Sequence, residues 1–156
     1  MFRRHPQLSA ATLGYLAVVA WLTLSPQAPD QRDGPLWQLA VFLDRFQATQ
    51  WLTFNDLEFM ANIALFVPLG LFFVLLVGKR RWWLALALAV LLTVGIEWVQ
   101  QFIPSRVSDP RDIASNSLGA AIGVVVTLIV AAVRARARGR RSGGAQSSAS
   151  KPRSGE

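Results

Sequence analysis

The chain is predicted to be an all-α polytopic membrane protein with four transmembrane helices, both termini cytoplasmic, and a short interfacial helix in the first outer loop. Three observations carry that prediction. Of 156 residues, 53% are hydrophobic and the mean hydropathy is +0.36, more apolar surface than a soluble domain of this size buries. Four apolar runs, residues 8–24, 59–77, 82–103 and 113–133, can each cross a hydrocarbon core of about 30 Å at about 1.5 Å per residue. The 16 basic residues are sorted by loop. Arg3, Arg4, the Lys79–Arg81 turn and the C-terminal tail hold 12 of them, and the other side holds only Arg32, Arg45, Arg106 and Arg111. By the positive-inside rule, the richer side is cytoplasmic.

The same sorting accounts for the net charge of +7 and the pI near 11.5. Basic residues are not spread over a face or interleaved with exposed aromatics, so no nucleic-acid partner is expected. No cysteine is present, which excludes a disulfide framework and a thiolate metal site. His5, the single histidine, lies beside Arg3 and Arg4 at the cytoplasmic end, away from every other candidate. Gln27 and Ala28 followed by Pro29 make a poor signal-peptidase site, so the first helix is expected to stay attached.

In the first membrane helix, Tyr15 and Trp21 fit lipid-facing or interfacial positions, and Gly14 suggests a close contact. Pro26, Pro29 and Pro35 break regular structure in the outer loop. Leu36, Leu39, Leu43 and Phe46 then recur near helical spacing, which predicts a short helix in the interface, followed by a Trp51 anchor. That helix reads either as a brace or as a lid. At the start of the second membrane helix, Asn55 is positioned as an N-cap and Glu58 completes a capping-box spacing. Asn62 lies one turn deeper, past what a cap explains. Pro68 and Gly70 are expected to loosen the middle of this helix.

The third membrane helix carries Thr93, Glu97 and Gln101 on one face, with Gln100 beside them. Glu97 is about 9 Å from the helix end, and an ionised acid at the centre of a membrane helix costs about 2.5–3.5 kcal/mol. It must be paired, protonated or facing water. For the fourth helix, Asp109 fits the N-cap, Pro110 the first helical position and Asp112 the third. Asn116 again lies one turn further in. Below it Gly119 and Gly123 sit at GxxxG spacing, a pattern that lets backbones approach and suggests a central helix or a membrane-protein partner. The domain is expected to span residues 1–133, with residues 134–156 a basic, disordered cytoplasmic tail.

Antiparallel crossings bring three acid and amide pairs into one leaflet: Glu58 with Asn62, Glu97 with Gln101, and Asp112 with Asn116. Arg106 and Arg111 fall just above them. The cluster reads either as interhelical hydrogen bonding or as an outward-facing pocket for a polar group. Interhelical bonds average only about 0.6 kcal/mol in membranes, a weak return for burying Glu97, so a pocket is the preferred expectation.

Residues 62–70 (NIALFVPLG), 97–102 (EWVQQF) and 106–123 (RVSDPRDIASNSLGAAIG) together resemble the VanZ-like family of bacterial membrane proteins. The resemblance covers about residues 58–130. It rests on Asn62, Pro68, Gly70, Glu97, Gln100 or Gln101, Arg106, Asp109, Asp112, Asn116, Gly119 and Gly123. It implies a four-helix domain in the bacterial cytoplasmic membrane, with its polar motifs toward the cell exterior. The family takes its name from a member associated with resistance to the glycopeptide teicoplanin, so the resemblance points to the cell envelope and antibiotic resistance.

Three functions follow as expectations. In the first, Asn62, Glu97, Gln100, Gln101, Arg106, Arg111, Asp112 and Asn116 bind a cell-envelope lipid or lipid-linked precursor, the arginines on phosphate. In the second, Glu97 is the general acid or base of an intramembrane hydrolase or transferase. In the third, Gly119 and Gly123 dock another membrane protein. No cofactor is assigned, and no metal beyond the option of a hard cation on Asp109 and Asp112.

Overall fold

The structure, a computed structural model, describes residues 6–25, 34–104 and 109–149. It contains α1 (Pro6–Leu24), α2 (Pro35–Leu43), α3 (Phe54–Val77), α4 (Trp82–Gln100) and α5 (Pro110–Ala149). A single 3₁₀ turn, Lys79–Arg81, joins α3 to α4, and the described residues include no strand. The helices α1, α3, α4 and α5 contain four stretches long and apolar enough to cross a membrane. Between α1 and α3 the short helix α2 is begun by Pro35 at its first turn.

Polarity inside the bundle is inverted relative to a soluble protein. Ser9, Thr12, Thr93, Glu97, Gln100, Ser115 and Asn116 are buried, while Leu13, Trp21, Leu91, Val125, Ile129 and Val133 are exposed. Exposed apolar side chains on every long helix suit a hydrocarbon solvent and would aggregate in water. The apolar core is small: Val19, Phe66, Leu69 and Ile96 meet where α1, α3 and α4 converge, and Val74, Ala85 and Val124 meet at the other end.

Lipid tails are as apolar as leucine, so the helices associate by close packing rather than by escape from water. The closest approach is between α3 and α5, the most extensively packed pair. A Cβ at Gly119 would strike the Ile63 carbonyl, one at Gly123 the Val67 carbonyl, and one at Gly70 the Ala120 carbonyl. These three glycines therefore interlock two backbones of the same chain. The stripe of Gly119 and Gly123 is consumed inside the bundle, which removes it as the surface for a membrane-protein partner. Nor does it mark the central helix, since α3 is the one packed against all four others.

Further differences have local causes. Gly14 makes no close contact, because a Cβ there would meet nothing within 4 Å. Tyr15 turns inward instead: its hydroxyl donates to the Leu65 carbonyl at 2.9 Å and its ring lies 5.6 Å from that of Phe72. Helix α3 runs unbroken through Pro68 and ends at Gly78, whose φ of 92° leaves helical space. Helix α5 continues past Val133 to Ala149; the alanines and arginines of residues 134–138 are strong helix formers, and extending an existing helix avoids the cost of nucleation.

Gly119→Ala and Gly123→Ala should each destabilise the protein by about 2 kcal/mol or more, because carbonyls of α3 occupy the space a methyl needs. Gly95→Ala, in a helix with open space at that position, should be neutral or stabilising by up to about 1 kcal/mol. Unfolding curves of the three variants in one detergent test the contrast.

Candidate functional site

The N-terminus of α5 organises the polar end of the bundle. The Asp109 carboxylate accepts the Arg111 N–H through Oδ1 at 2.8 Å, and the Asp109 carbonyl accepts the Asp112 N–H at 2.8 Å. Pro110 has no N–H to satisfy. In a capping box, the residue at the third helical position would reach back to the N-cap N–H. Here Glu97 of α4 does so instead: its Oε2 accepts the Asp109 N–H at 3.1 Å. Asp112, at that third position, faces α3 and accepts from Asn62 Nδ2 through Oδ1 at 2.8 Å. The duties of one local capping box are divided among three helices.

Helix α3 shows the undivided version. Thr53, extended at φ −81° and ψ 165°, accepts the Asp56 N–H at 3.3 Å, and Asp56 Oδ2 accepts the Thr53 N–H at 2.9 Å. The expected box of Asn55 and Glu58 is therefore corrected to Thr53 and Asp56. Because the helix starts at Phe54, Glu58 is already beyond capping reach, and it joins the site.

One turn deeper, Asn116 Nδ2 donates to Thr93 Oγ1 at 2.9 Å, linking α5 to α4, and Gln100 Nε2 donates to the Thr23 carbonyl at 2.9 Å, linking α4 to α1. Above these bonds is a cavity of about 330 Å³, with Glu58, Asn62, Glu97, Gln100, Asp112 and Asn116 in its wall. Leu22, Leu65 and Ile96 line its apolar side, and Leu36 of α2 lines part of it. Among the described residues its polar lining is acidic or amide apart from Thr23, whose hydroxyl donates to the Val19 carbonyl, with no lysine or arginine.

Two residues of the wall each carry a buried oxygen with no donor among the described residues. Gln100 and Asn116 are 5% and 3% exposed, and Gln100 Oε1 and Asn116 Oδ1 accept no hydrogen bond among the described residues. The Gln100 amide has a fixed sense, since a carbonyl can only accept and its Nε2 is therefore the end that meets Thr23. Each buried acceptor left without a donor costs about 1–3 kcal/mol.

The structure thus brings Asn62, Glu97, Gln100, Asp112 and Asn116 to one cavity, together with Glu58 of the same expected cluster. Gln101 is excluded: it is the exposed C-cap of α4, one helical step of rotation from Gln100. Arg111 lies outside the cavity, its guanidinium 6.0 Å from the Phe59 ring, beside a smaller recess lined by Asn55, Glu58, Asp109 and Asp112. Arg106 falls outside the described residues. The carboxylates of Asp109 and Asp112 are turned to different partners, and no three metal-ligating acids or histidines converge among the described residues. The contribution of Thr23 left no signal in the sequence because it acts through its backbone.

A bundle of apolar crossings with a polar cavity at one end is a multi-pass membrane protein. A model of the VanZ/LLP1 family matches residues 12–131, a span that contains every residue of the cavity wall. The chain belongs to that family. Searches of curated proteins and of solved structures returned no match.

Breaking the divided cap should be graded by chemistry. Glu97→Gln keeps an oxygen for the Asp109 N–H and should fold, whereas Glu97→Leu should lose about 1–3 kcal/mol. A double-mutant cycle of Asn62→Ala and Asp112→Ala should give a coupling of about 0.5–1.7 kcal/mol, and a value of zero would show that the α3 to α5 bond contributes nothing.

Proposed function

We propose that the cavity binds the polar headgroup of a cell-envelope lipid or lipid-linked precursor through that group's hydroxyl or amine donors. The observation carrying this reading is the pair of buried, donorless amide oxygens of Gln100 and Asn116 in a wall that also holds Glu58, Glu97 and Asp112. The Gln100 and Asn116 oxygens favour a group that carries donors, such as a sugar, glycerol or amine. The volume, about 330 Å³, is at the lower end for ligand pockets and suits a headgroup rather than a whole lipid. Arg111 at the rim is the described cation nearest to a lipid phosphate entering from the side. On this reading α2, through Leu36, covers the site while lying in the interface.

The orientation belongs to the same proposal. Lys79, Arg80, Arg81, Arg134, Arg136 and Arg138 lie at the end of the bundle away from Asp109 and Asp112. Positive-inside placement then puts both termini in the cytoplasm and the cavity in the outer leaflet. A cysteine-free chain makes this easy to test. Gln50→Cys should react with a membrane-impermeant maleimide in intact cells, and Ala137→Cys only after permeabilisation. The reverse pattern would move the cavity to the inner leaflet.

Native mass spectrometry of the detergent-purified protein tests the binding. Wild type should retain a lipid with a polyol or amine headgroup, and Asn116→Ala and Gln100→Met should lose it at matched thermal stability. If wild type carries no lipid above the bulk composition and the variants merely unfold earlier, the cavity is hydrated packing and the reading fails. The position of Glu97 in the same wall supports a second reading, a hydrolase or transferase with Glu97 as general acid or base. That reading requires Glu97→Gln to keep the lipid and accumulate it unprocessed. A link to teicoplanin resistance requires the bound lipid to be a cell-wall precursor. Expression of wild type should then raise the teicoplanin tolerance of a sensitive host, and Asn116→Ala should not.

A further inference from the structure

The opposite end of the bundle carries a second groove, between α3 and α5, of about 420 Å³. It begins where the glycine interlock ends. Gly123 still lies against the Val67 carbonyl and the Leu71 backbone, and beyond them the groove is lined by Leu71 and Leu75 on α3 and Val126 and Val130 on α5. The hydroxyl of Thr127, the polar side chain within this part of the wall, donates to the Gly123 carbonyl at 2.7 Å. The floor therefore presents hydrocarbon.

The mouth is different. Leu71, Leu75 and Lys79 follow one face of α3 and its exit at i, i+4 and i+8, while Val130, Arg134 and Arg138 follow one face of α5 at i, i+4 and i+8. Both faces thus change from aliphatic to cationic at the same level, and Lys79, Arg134 and Arg138 all line the groove. No acidic residue occurs in the sequence between Glu58 and Glu97 or between Asp112 and Glu156. From Val126 to Arg138 the α5 wall rises about 18 Å at about 1.5 Å per residue. That is close to one leaflet of a hydrocarbon core about 30 Å thick, with its headgroup level.

We propose that this groove holds one anionic phospholipid of the leaflet at the basic end, its phosphate among Lys79, Arg134 and Arg138 and an acyl chain along Leu75 and Val130. Charge selects the occupant: a zwitterionic lipid would place its own cation against three others, and a basic recess between membrane helices matches an anionic headgroup. The site is separate from the acceptor-lined cavity and does not depend on that reading or on the orientation of the bundle.

The test compares two triple variants of equal charge in nanodiscs of phosphatidylglycerol and phosphatidylcholine in equal amounts, released and weighed by native mass spectrometry. Wild type should carry one phosphatidylglycerol in preference to phosphatidylcholine. Lys79→Gln with Arg134→Gln and Arg138→Gln should reduce that preference about tenfold or more, while Arg80→Gln with Arg81→Gln and Arg136→Gln should keep it. Equal loss in both triples would reduce the effect to diffuse surface charge and overturn the site. So would equal retention in both, or displacement of the lipid by millimolar inorganic phosphate. Should the first triple fail to fold, Val130→Trp decides: it fills the groove without changing charge, and retention of phosphatidylglycerol in that variant refutes the proposal.

Discussion

The structure depends on how a helix N-terminus is satisfied within a membrane bundle. The first turn of α5 presents backbone N–H groups without helical partners. Asp109 caps one of them and Glu97 takes the Asp109 N–H itself. This explains an acid at the depth of Glu97. Glu97 lies at the positive end of the α5 dipole and accepts an N–H there, a pairing made across helices. The same bond fixes α4 against α5 and leaves the Asp112 Oδ1 to Asn62, which draws in α3. Three helices are thereby set in register at one end by groups that would otherwise each incur a desolvation cost.

Register at the middle is set by different means. Gly70, Gly119 and Gly123 allow α3 and α5 to meet backbone to backbone, and the dispersion gained along such a contact supplies the packing that lipid cannot supply through the hydrophobic effect. The aliphatic side chains that remain exposed, among them Leu91, Val125 and Ile129, are the lipid-facing surface rather than defects in a core.

Several of these features were legible in the sequence because they break a local rule. Asn62, Glu97 and Asn116 each lie deeper than a cap needs to be, and the structure brings all three to one cavity. The four crossings were legible from run length alone. What could not be read depends on partners distant in the chain. Thr53 with Asp56 and Asn55 with Glu58 both satisfy the capping spacing, and only the true first residue of α3 decides between them. Gln100 and Gln101 differ by one step of helical rotation, and the group that fixes the phase is the Thr23 carbonyl, which any residue could supply. Glycine spacing announced a close approach without naming its neighbour, which proved to be the chain's own α3.

The division of labour along α3 and α5 gives the two ends of the bundle their chemical freedom. Because these helices are held together by the interlock at their middle, neither end has to supply the main cohesion, and each can carry groups that packing alone would disfavour. At the α5 N-terminus those groups are acceptors in excess of donors, Gln100 Oε1 and Asn116 Oδ1 among them. At the other end they are cations above an aliphatic floor. A bundle stabilised chiefly by its polar contacts would have matched donors to acceptors at both ends, with all of them used up internally. The mismatch is tolerable because the glycine interlock, rather than these polar contacts, carries the cohesion of α3 and α5.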